Sequence, residues 1–407
     1  MSETENPSAE TSLRVLAMDI EGGHGGSSRS LLQMLRAVDR RQVAPEVWCR
    51  CGGAIEDVYD ALGIPVTVAP DMPRLTALER NSRNLIDGWR FFAKRWPRSR
   101  EFRARLSARL QDIDLLHLNH VSLFWLARWV RREHPSLPIT MHIRTQPVNN
   151  IVARWQSRIA VTSCSGFVYI TENERDHLAR LSGSKPKGEV IYNPVEVADV
   201  DPGKSDVVDA LTRDDSFTAV CLSNFAPSRG LDRLIEVAKV LDRMKDQRIR
   251  FHIAGDMHLA GALRGLLAHV AKSGGTLADY AEQQGVAHRF TFLGHVSNPE
   301  NLLSRADVLL KPTRENNPWG RDILEALGHG VPVASVGSYN RFVETDRTGL
   351  LQPTFDAPEL ATWLVALAQD RQRQKQLRHQ AAERIADMCD PHRQAEKLVR
   401  FWRLYAR

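Results

Sequence analysis

What most constrains the fold of this 407-residue chain is a double alternation of short apolar runs with amphipathic segments of helical length. That pattern belongs to parallel strands joined by crossover helices. In the first half the strand candidates are Leu13–Ile20, Glu46–Cys49, Val66–Val68, Leu115–Leu118, Ile139–Ile143, Gly166–Ile170 and Glu189–Tyr192, with a turn at Gly22–Ser28 and a helix over Ser30–Val38. Between Val195 and Ser216 the chain becomes polar and loses its period, with Asp199, Asp201, Pro202, Gly203 and Asp206, which reads as a linker. A second series follows: strands Phe217–Leu222, Ile249–Ala254, Phe290–Leu293, Val308–Lys311 and Val331–Val336, with helices over Leu231–Asp242 and Arg321–Leu327. The expectation is an α/β chain with two Rossmann-like domains, at 13–200 and 201–388. A polar, acidic tail at 1–12 is expected to be disordered, and 389–407 to form one more amphipathic helix whose Leu398, Phe401, Trp402 and Tyr405 need a surface to pack on.

Composition narrows the setting. The longest apolar stretches, such as Val331–Val336, fall far short of the ~20 residues that span a bilayer. Five cysteines, odd in number and without zinc-site spacing, read as reduced thiols of a cytoplasmic protein. The formal net charge of +6 is concentrated: Arg90 to Arg109 holds eight Lys or Arg against one Glu, interleaved with Phe91, Phe92, Trp96, Phe102, Leu106 and Leu110 and interrupted by Pro97. Two readings of residues 90–110 stay open. One is a solvated basic helix whose aromatics pack on their own domain; the other is a face that docks on an anionic membrane surface, which would make the protein peripheral on the inner face of the cell membrane. No nucleic-acid partner is expected.

Lys311 to Gln352 carries the densest chemistry. Asn317 followed by Pro318 reads as a helix start, Gly328 and Gly330 as its end. Such a helix, opening at the C-terminal end of a strand, aims unpaired N–H groups at a crevice where an anion such as a diphosphate belongs. The glycine-rich turn Gly22–Ser28 also lies between strand and helix, so Gly25 and Gly26 are candidates for close approach to a bound phosphate, although the spacing is not a dinucleotide fingerprint. His24 is read as a turn residue. The Asp112/Asp114 and Asp199/Asp201 pairs read as solvated turns, and no metal or other cofactor is expected.

Asn317-Pro318-Trp319-Gly320-Arg321-Asp322-Ile323-Leu324-Glu325 resembles the donor site of the retaining glycosyltransferases of family 4, also called glycosyltransferase group 1, which have the GT-B fold. In that family a Glu, seven residues and a second Glu form the signature. Glu325 matches the second, whose implied role is to accept hydrogen bonds from the ribose hydroxyls. Asn317 stands where the first Glu contacts the donor sugar, with Glu315 two positions earlier; Asn317 is the favoured sugar contact. Trp319 and Gly320 would line the sugar pocket through main-chain amides, and the helix amides near Pro318 to Arg321 would stabilise the leaving phosphate.

Further landmarks arrive in the family's order. Ile191 to Val195 resembles the turn that closes the first domain. Cys221 to Gly230 resembles the diphosphate loop, with Arg229 at the Lys position and Ser223 or Asn224 at the Arg position. Phe292 to Val296 resembles the segment that brackets the nucleobase, implicating Gly294, His295 and Val296. Leu115 to His120 resembles the family's His-any-His strand end, which places Asn119 and His120 on the acceptor side, with His142 and Arg144 ending the next strand at similar depth. His120 is the favoured catalytic histidine, beside Arg229, Asn317 and Glu325.

The resemblance implies two domains facing a central cleft, with the last helix crossing back to the first. It implies transfer, with retention, of a sugar from a nucleotide diphosphate sugar to a glycan or lipid-linked acceptor, as in assembly of a surface polysaccharide, lipopolysaccharide or glycolipid. The nucleotide sugar is then a co-substrate. Two other classes stay open: a sugar-nucleotide-binding protein without transferase activity, and a nucleotide-sugar epimerase of the same fold.

Overall fold

The computed structural model describes residues 12–22, 25–75, 84–197 and 216–406. The tail expected at 1–12 lies, but for Ser12, outside them, as do His24, the Asp199/Asp201 pair and most of the linker. Two compact units emerge, Met1–Pro194 with Cys389–Arg407 and Val195–Met388. The expected boundary at 200/201 itself falls outside the described residues.

The first unit is built on strands β1 (Leu13–Asp19), β2 (Val43–Cys49), β3 (Val66–Val68), β4 (Leu115–Leu118), β5 (Ile139–Ile143), β6 (Gly166–Tyr169) and β7 (Gly188–Val190). They form one sheet in the order β3-β2-β1-β4-β5-β6-β7, every pairing parallel. Both faces are covered, so β1 is buried from Val15 onward: Leu16 and Met18 enter one apolar cluster, Val15 and Ala17 another. Helix α1 (Gly26–Ala37) follows β1. The helix Pro391–Ala406 completes the second cluster, inserting Leu398, Phe401 and Trp402 beside Val15, Ala17 and Val47. Trp402 is fully buried and its indole Nε1 donates to His117 Nδ1 at 3.3 Å.

The basic aromatic segment is not one broken helix. Helix α2 (Asn84–Arg90) widens into a π-helical turn, Phe91–Arg95, then a short turn, Trp96–Arg98, before the helix Arg100–Arg109 restarts at Ser99. The wider turn lies just ahead of Pro97, whose ring and missing N–H disfavour regular α-helical bonding there. Phe91, Phe102, Leu106 and Leu110 enter the core, while Phe92 stays exposed. Helix α3 (Ile151–Ser163) packs nearby: Trp155 stacks on Trp125 at 5.8 Å.

The second unit holds β8 (Phe217–Leu222), β9 (Ile249–Ala254), β10 (Phe290–Gly294), β11 (Val308–Lys311), β12 (Val333–Val336) and β13 (Gly349–Gln352). The order is β10-β9-β8-β11-β12-β13, again parallel throughout. β13 was not anticipated, since four residues after a polar turn carry no visible period. Helix α4 (Arg321–Gly328) links β11 to β12. It begins at Arg321, as the helix expected over Arg321–Leu327 does, and corrects only the cap: Gly320, not Asn317, is the N-cap residue, and Asn317 to Gly320 form an irregular turn ahead of it. Among the described residues no helix is long and apolar enough to cross a membrane.

Candidate functional site

Each sheet reverses its winding once, between β1 and β4 in the first unit and between β8 and β11 in the second. Helices diverge at such a switch point and leave a crevice beyond the C-terminal strand ends. In the second unit the crevice is framed by the loops after β8 and β11, and they are locked together. Gly230 adopts φ 73°, and a Cβ there would lie 2.0 Å from the Pro312 carbonyl oxygen. Arg314 N donates to Ser228 O at 2.8 Å, and the Arg314 guanidinium pairs with Asp232 at 2.6 Å. Arg233 donates to the carbonyls of Pro312 and Thr313. The 3₁₀ turn Pro227–Arg229 is thereby fixed, with the exposed Arg229 side chain making no ion pair among the described residues.

The turn ahead of α4 is held from beneath and from the side. Lys311 Nζ donates to Asp322 Oδ1 at 2.6 Å, with 8% and 18% of the two side chains exposed. A Cβ on Gly320 would lie 2.1 Å from that Nζ, so the turn rests on the ion pair. Asn316 bridges to Ser338 through both ends of its side-chain amide. Gly337, at φ 151°, leaves the space that Pro318 and Asn316 occupy. Trp319 is buried edge-on to Tyr339, ring centroids 5.2 Å apart. Asn317 Nδ2 donates to Glu315 Oε2 at 3.1 Å, so the two candidates for the sugar contact are bonded to each other. The Asn317 Oδ1 atom is shielded and has no hydrogen-bond partner among the described residues. One turn into α4, Glu325 is only 6% exposed and accepts Arg321 Nε at 2.7 Å. Arg321 therefore engages Glu325 through its side chain, a contact that sequence reading had not foreseen.

At the ends of β8, β9 and β10 opens a cavity of about 520 Å³ lined by Asn224, Asp256, His258, Thr276, Gly294 and His295, with Phe292 at its wall. Its size falls in the range of small-molecule sites. Three predicted donor residues, Asn224, Gly294 and His295, are brought together here; Val296, Arg229, Glu325 and the 317–320 turn are not part of its lining. Asn224 also shapes the rim, its Oδ1 accepting Asp256 N at 2.9 Å. Asp256, His258 and Thr276 were missed in sequence; the only signal was Gly255 directly after β9, at φ 133° and packed on the Ser223 carbonyl.

In the first unit the strand ends carry a buried polar chain. Asp19 accepts from Ser28 Oγ and from Asn119 Nδ2 at 2.9 Å; Asn119 Oδ1 accepts Arg144 Nε at 2.9 Å. Arg144 continues to Asn193 Oδ1 at 2.8 Å and His142 Nδ1 at 3.1 Å. Asn119, His142 and Arg144 thus meet as predicted neighbours, but Asn119 and His142 are at most 1% exposed. Asp19, Ser28 and Asn193 belong to the same chain and were not singled out in sequence. Burial, reinforced by the Arg144 charge, pushes His117 down to about 3 and His142 downward too. His120 is lowered to about 4 by burial, then by Arg144 and Arg74. Its Nδ1 accepts Ser122 N at 3.1 Å, capping a 3₁₀ turn, so the neutral ring carries its proton on Nε2. Gly25 precedes α1 with the Glu21 carboxylate packed against it: a Cβ there would lie 1.7 Å from Glu21 Oε2. Gly26 is the first residue of α1. Among the described residues no three His, Cys, Asp or Glu side chains group as metal ligands.

Two doubly wound parallel sheets, each gathering polar groups at its switch point, define a GT-B protein. Comparison with known proteins gives the family: a profile described as "Glycosyl transferases group 1" matches residues 216–370, and one described as "Glycosyltransferase Family 4" matches residues 24–199. The chain belongs to the glycosyltransferase group 1 family. Over 266 residues it is 23% identical to alpha-D-kanosaminyltransferase of Streptomyces kanamyceticus, a match spanning 63% of this chain and 64% of that relative, less than two thirds of its length. Anabaena HepE in complex with UDP superposes with a TM-score of 0.72 at 19% identity, covering 96% of this chain and 99% of that one. Sucrose-phosphate synthase of Thermosynechococcus elongatus gives a TM-score of 0.69 at 15% identity, covering 96% and 98%.

Proposed function

We propose that this glycosyltransferase moves a sugar, with retention of anomeric configuration and without a metal ion, from a nucleotide diphosphate sugar to a glycan or lipid-linked acceptor. The observations that carry the reading lie at the strand ends of the second unit: a cavity of small-molecule size after β8, β9 and β10, and, after β11, a rigid turn with Asn317 ahead of α4 and Glu325 within it. In this reading the base and ribose end enter the cavity beside Asn224, Gly294 and His295. The ribose hydroxyls donate to the Glu325 carboxylate, and the shielded Oδ1 of Asn317 accepts a sugar hydroxyl.

Departure of the nucleotide diphosphate builds negative charge on its terminal phosphate. In this reading Arg229, which has no carboxylate partner among the described residues, and the amides at the start of α4 stabilise that charge more in the transition state than in the ground state. With no side-chain nucleophile assigned, the acceptor hydroxyl attacks from the face the phosphate leaves, and a phosphate oxygen takes its proton. His120, donating through Nε2, orients the acceptor or sugar. A uridine donor is the first to test, given the UDP in the HepE complex; a role in surface glycans draws support from the fold shared with WaaG, described as a glycosyltransferase involved in lipopolysaccharide biosynthesis. Five free cysteines suit a cytoplasmic setting.

Asn317 in the position of a family Glu favours one second reading, a sugar-nucleotide-binding protein that has lost transfer. The test is nucleotide release from uridine, guanosine and adenosine diphosphate sugars with a crude glycan or lipid acceptor fraction. Acceptor-dependent release of nucleoside diphosphate supports transfer. Tight donor binding with no release supports the second reading, and no donor binding rejects both.

A further inference from the structure

We infer that the first unit carries a built docking face for an anionic lipid surface, formed by α2 with its π-turn and by α3. Six of the large hydrophobic side chains that remain exposed lie on this stretch of the fold: Ile86, Trp89, Phe92, Val148, Ile151 and Trp155. Trp89 is 64% exposed and Ile151 82%, values at which a side chain contributes little to the fold's own core. Two stripes are involved. Ile86, Trp89 and Phe92 recur at three-residue spacing along α2 and into the turn; Ile151 and Trp155 are one helical turn apart on α3. They join where the Phe92 ring meets Trp155 at 6.4 Å and Trp125 at 4.8 Å, edge to face.

The occupant follows from the charges around this face. Arg90, Lys94, Arg95 and Arg98 on the first segment and Arg158 on α3 are exposed, and none forms an ion pair among the described residues. Within residues 84–101 the acidic residues are Asp87 and Glu101, against Arg90, Lys94, Arg95, Arg98 and Arg100. Tryptophan and isoleucine flanked by unpaired arginines suit the water–hydrocarbon boundary, where indole rings lodge among headgroups and cationic side chains reach anionic phosphates. The helix Arg100–Arg109 does not provide this face, because Phe102 and Leu106 are spent in the core. The inference extends the lipid-linked acceptor of the proposed function but rests on a surface remote in sequence from the donor residues, so the two can fail separately.

The test is co-sedimentation of the full chain with phosphatidylcholine vesicles with and without phosphatidylglycerol, no sugar nucleotide being present. The expected result is binding to anionic vesicles that weakens as salt rises. Trp89→Ser combined with Ile151→Ser should lower that binding about tenfold or more. Arg90→Glu combined with Lys94→Glu should do the same at low salt. All four positions are exposed, so unchanged melting temperatures are expected, and uridine diphosphate binding on the same preparations reports the donor site separately. Absence of wild-type binding, equal binding to neutral vesicles, or variants that bind like wild type would overturn the inference. So would self-association that the Trp89→Ser, Ile151→Ser variant abolishes while vesicles remain unbound, since a second copy would then be the occupant.

Discussion

Lys311 at the end of β11 and Asp322 in the first turn of α4 form a nearly enclosed ion pair, 2.6 Å between Nζ and Oδ1, and the backbone of Gly320 lies directly upon it. A charge left behind in such a place is costly, whereas replacing both partners removes the desolvation penalty with the attraction. Lys311→Met should therefore destabilise the protein by about 2–3 kcal/mol in urea unfolding, and adding Asp322→Leu should restore most of that loss. If the donor constant stays raised in the stable double variant, the pair positions the turn; a normal donor constant would mean it serves stability alone.

Gly230 occupies a left-handed conformation in van der Waals contact with Pro312. Gly230→Ala adds both backbone strain and a clash with a carbonyl oxygen, costing about 2 kcal/mol or more. Because Arg229 immediately precedes it, donor affinity should fall along with stability. An unaltered melting temperature would contradict the geometry.

Glu325 is nearly buried and accepts Arg321 Nε, which fixes the orientation of its carboxylate. Glu325→Ala should raise the apparent donor constant about tenfold or more and lower turnover. Glu325→Gln, which keeps an acceptor oxygen, should recover part of the affinity. Donor kinetics indistinguishable from wild type in the Ala variant would remove Glu325 from the site.

The histidines give a pH signature. His117 and His120 are held neutral in the folded state, lowered to about 3 and about 4, whereas in the unfolded chain each titrates near 6.5. A depressed pKa means that the unfolded state takes up protons first. Their contribution is therefore fully present above pH 6.5 and is lost progressively as pH falls toward 4 and then 3. Each histidine should lower unfolding free energy by about 1.4 kcal/mol per pH unit well inside that window. His117→Gln should flatten the profile; an unchanged slope would mean His117 is already charged in the native state.

The alternation of apolar runs was enough to establish two parallel-sheet halves, because strand and helix periods are local properties of the chain. Glu325 and Asn317 were legible for the same reason: their spacing is a short-range pattern. Tertiary structure decided what those residues do. Asn317 was read as a helix cap, yet the helix begins at Arg321, because Gly337, Ser338 and Tyr339, all some twenty residues downstream, hold the preceding turn in an irregular shape. Asp19 and Asn119 are 100 residues apart and meet only because β1 and β4 pair in parallel register, Val15 beside Leu115. The apolar residues between 90 and 110 likewise look alike in sequence, and only packing sends Phe91, Phe102, Leu106 and Leu110 inward while Phe92 faces solvent. Periodicity specifies which elements form; strand order and packing specify which side chains meet, and the site is made of those meetings.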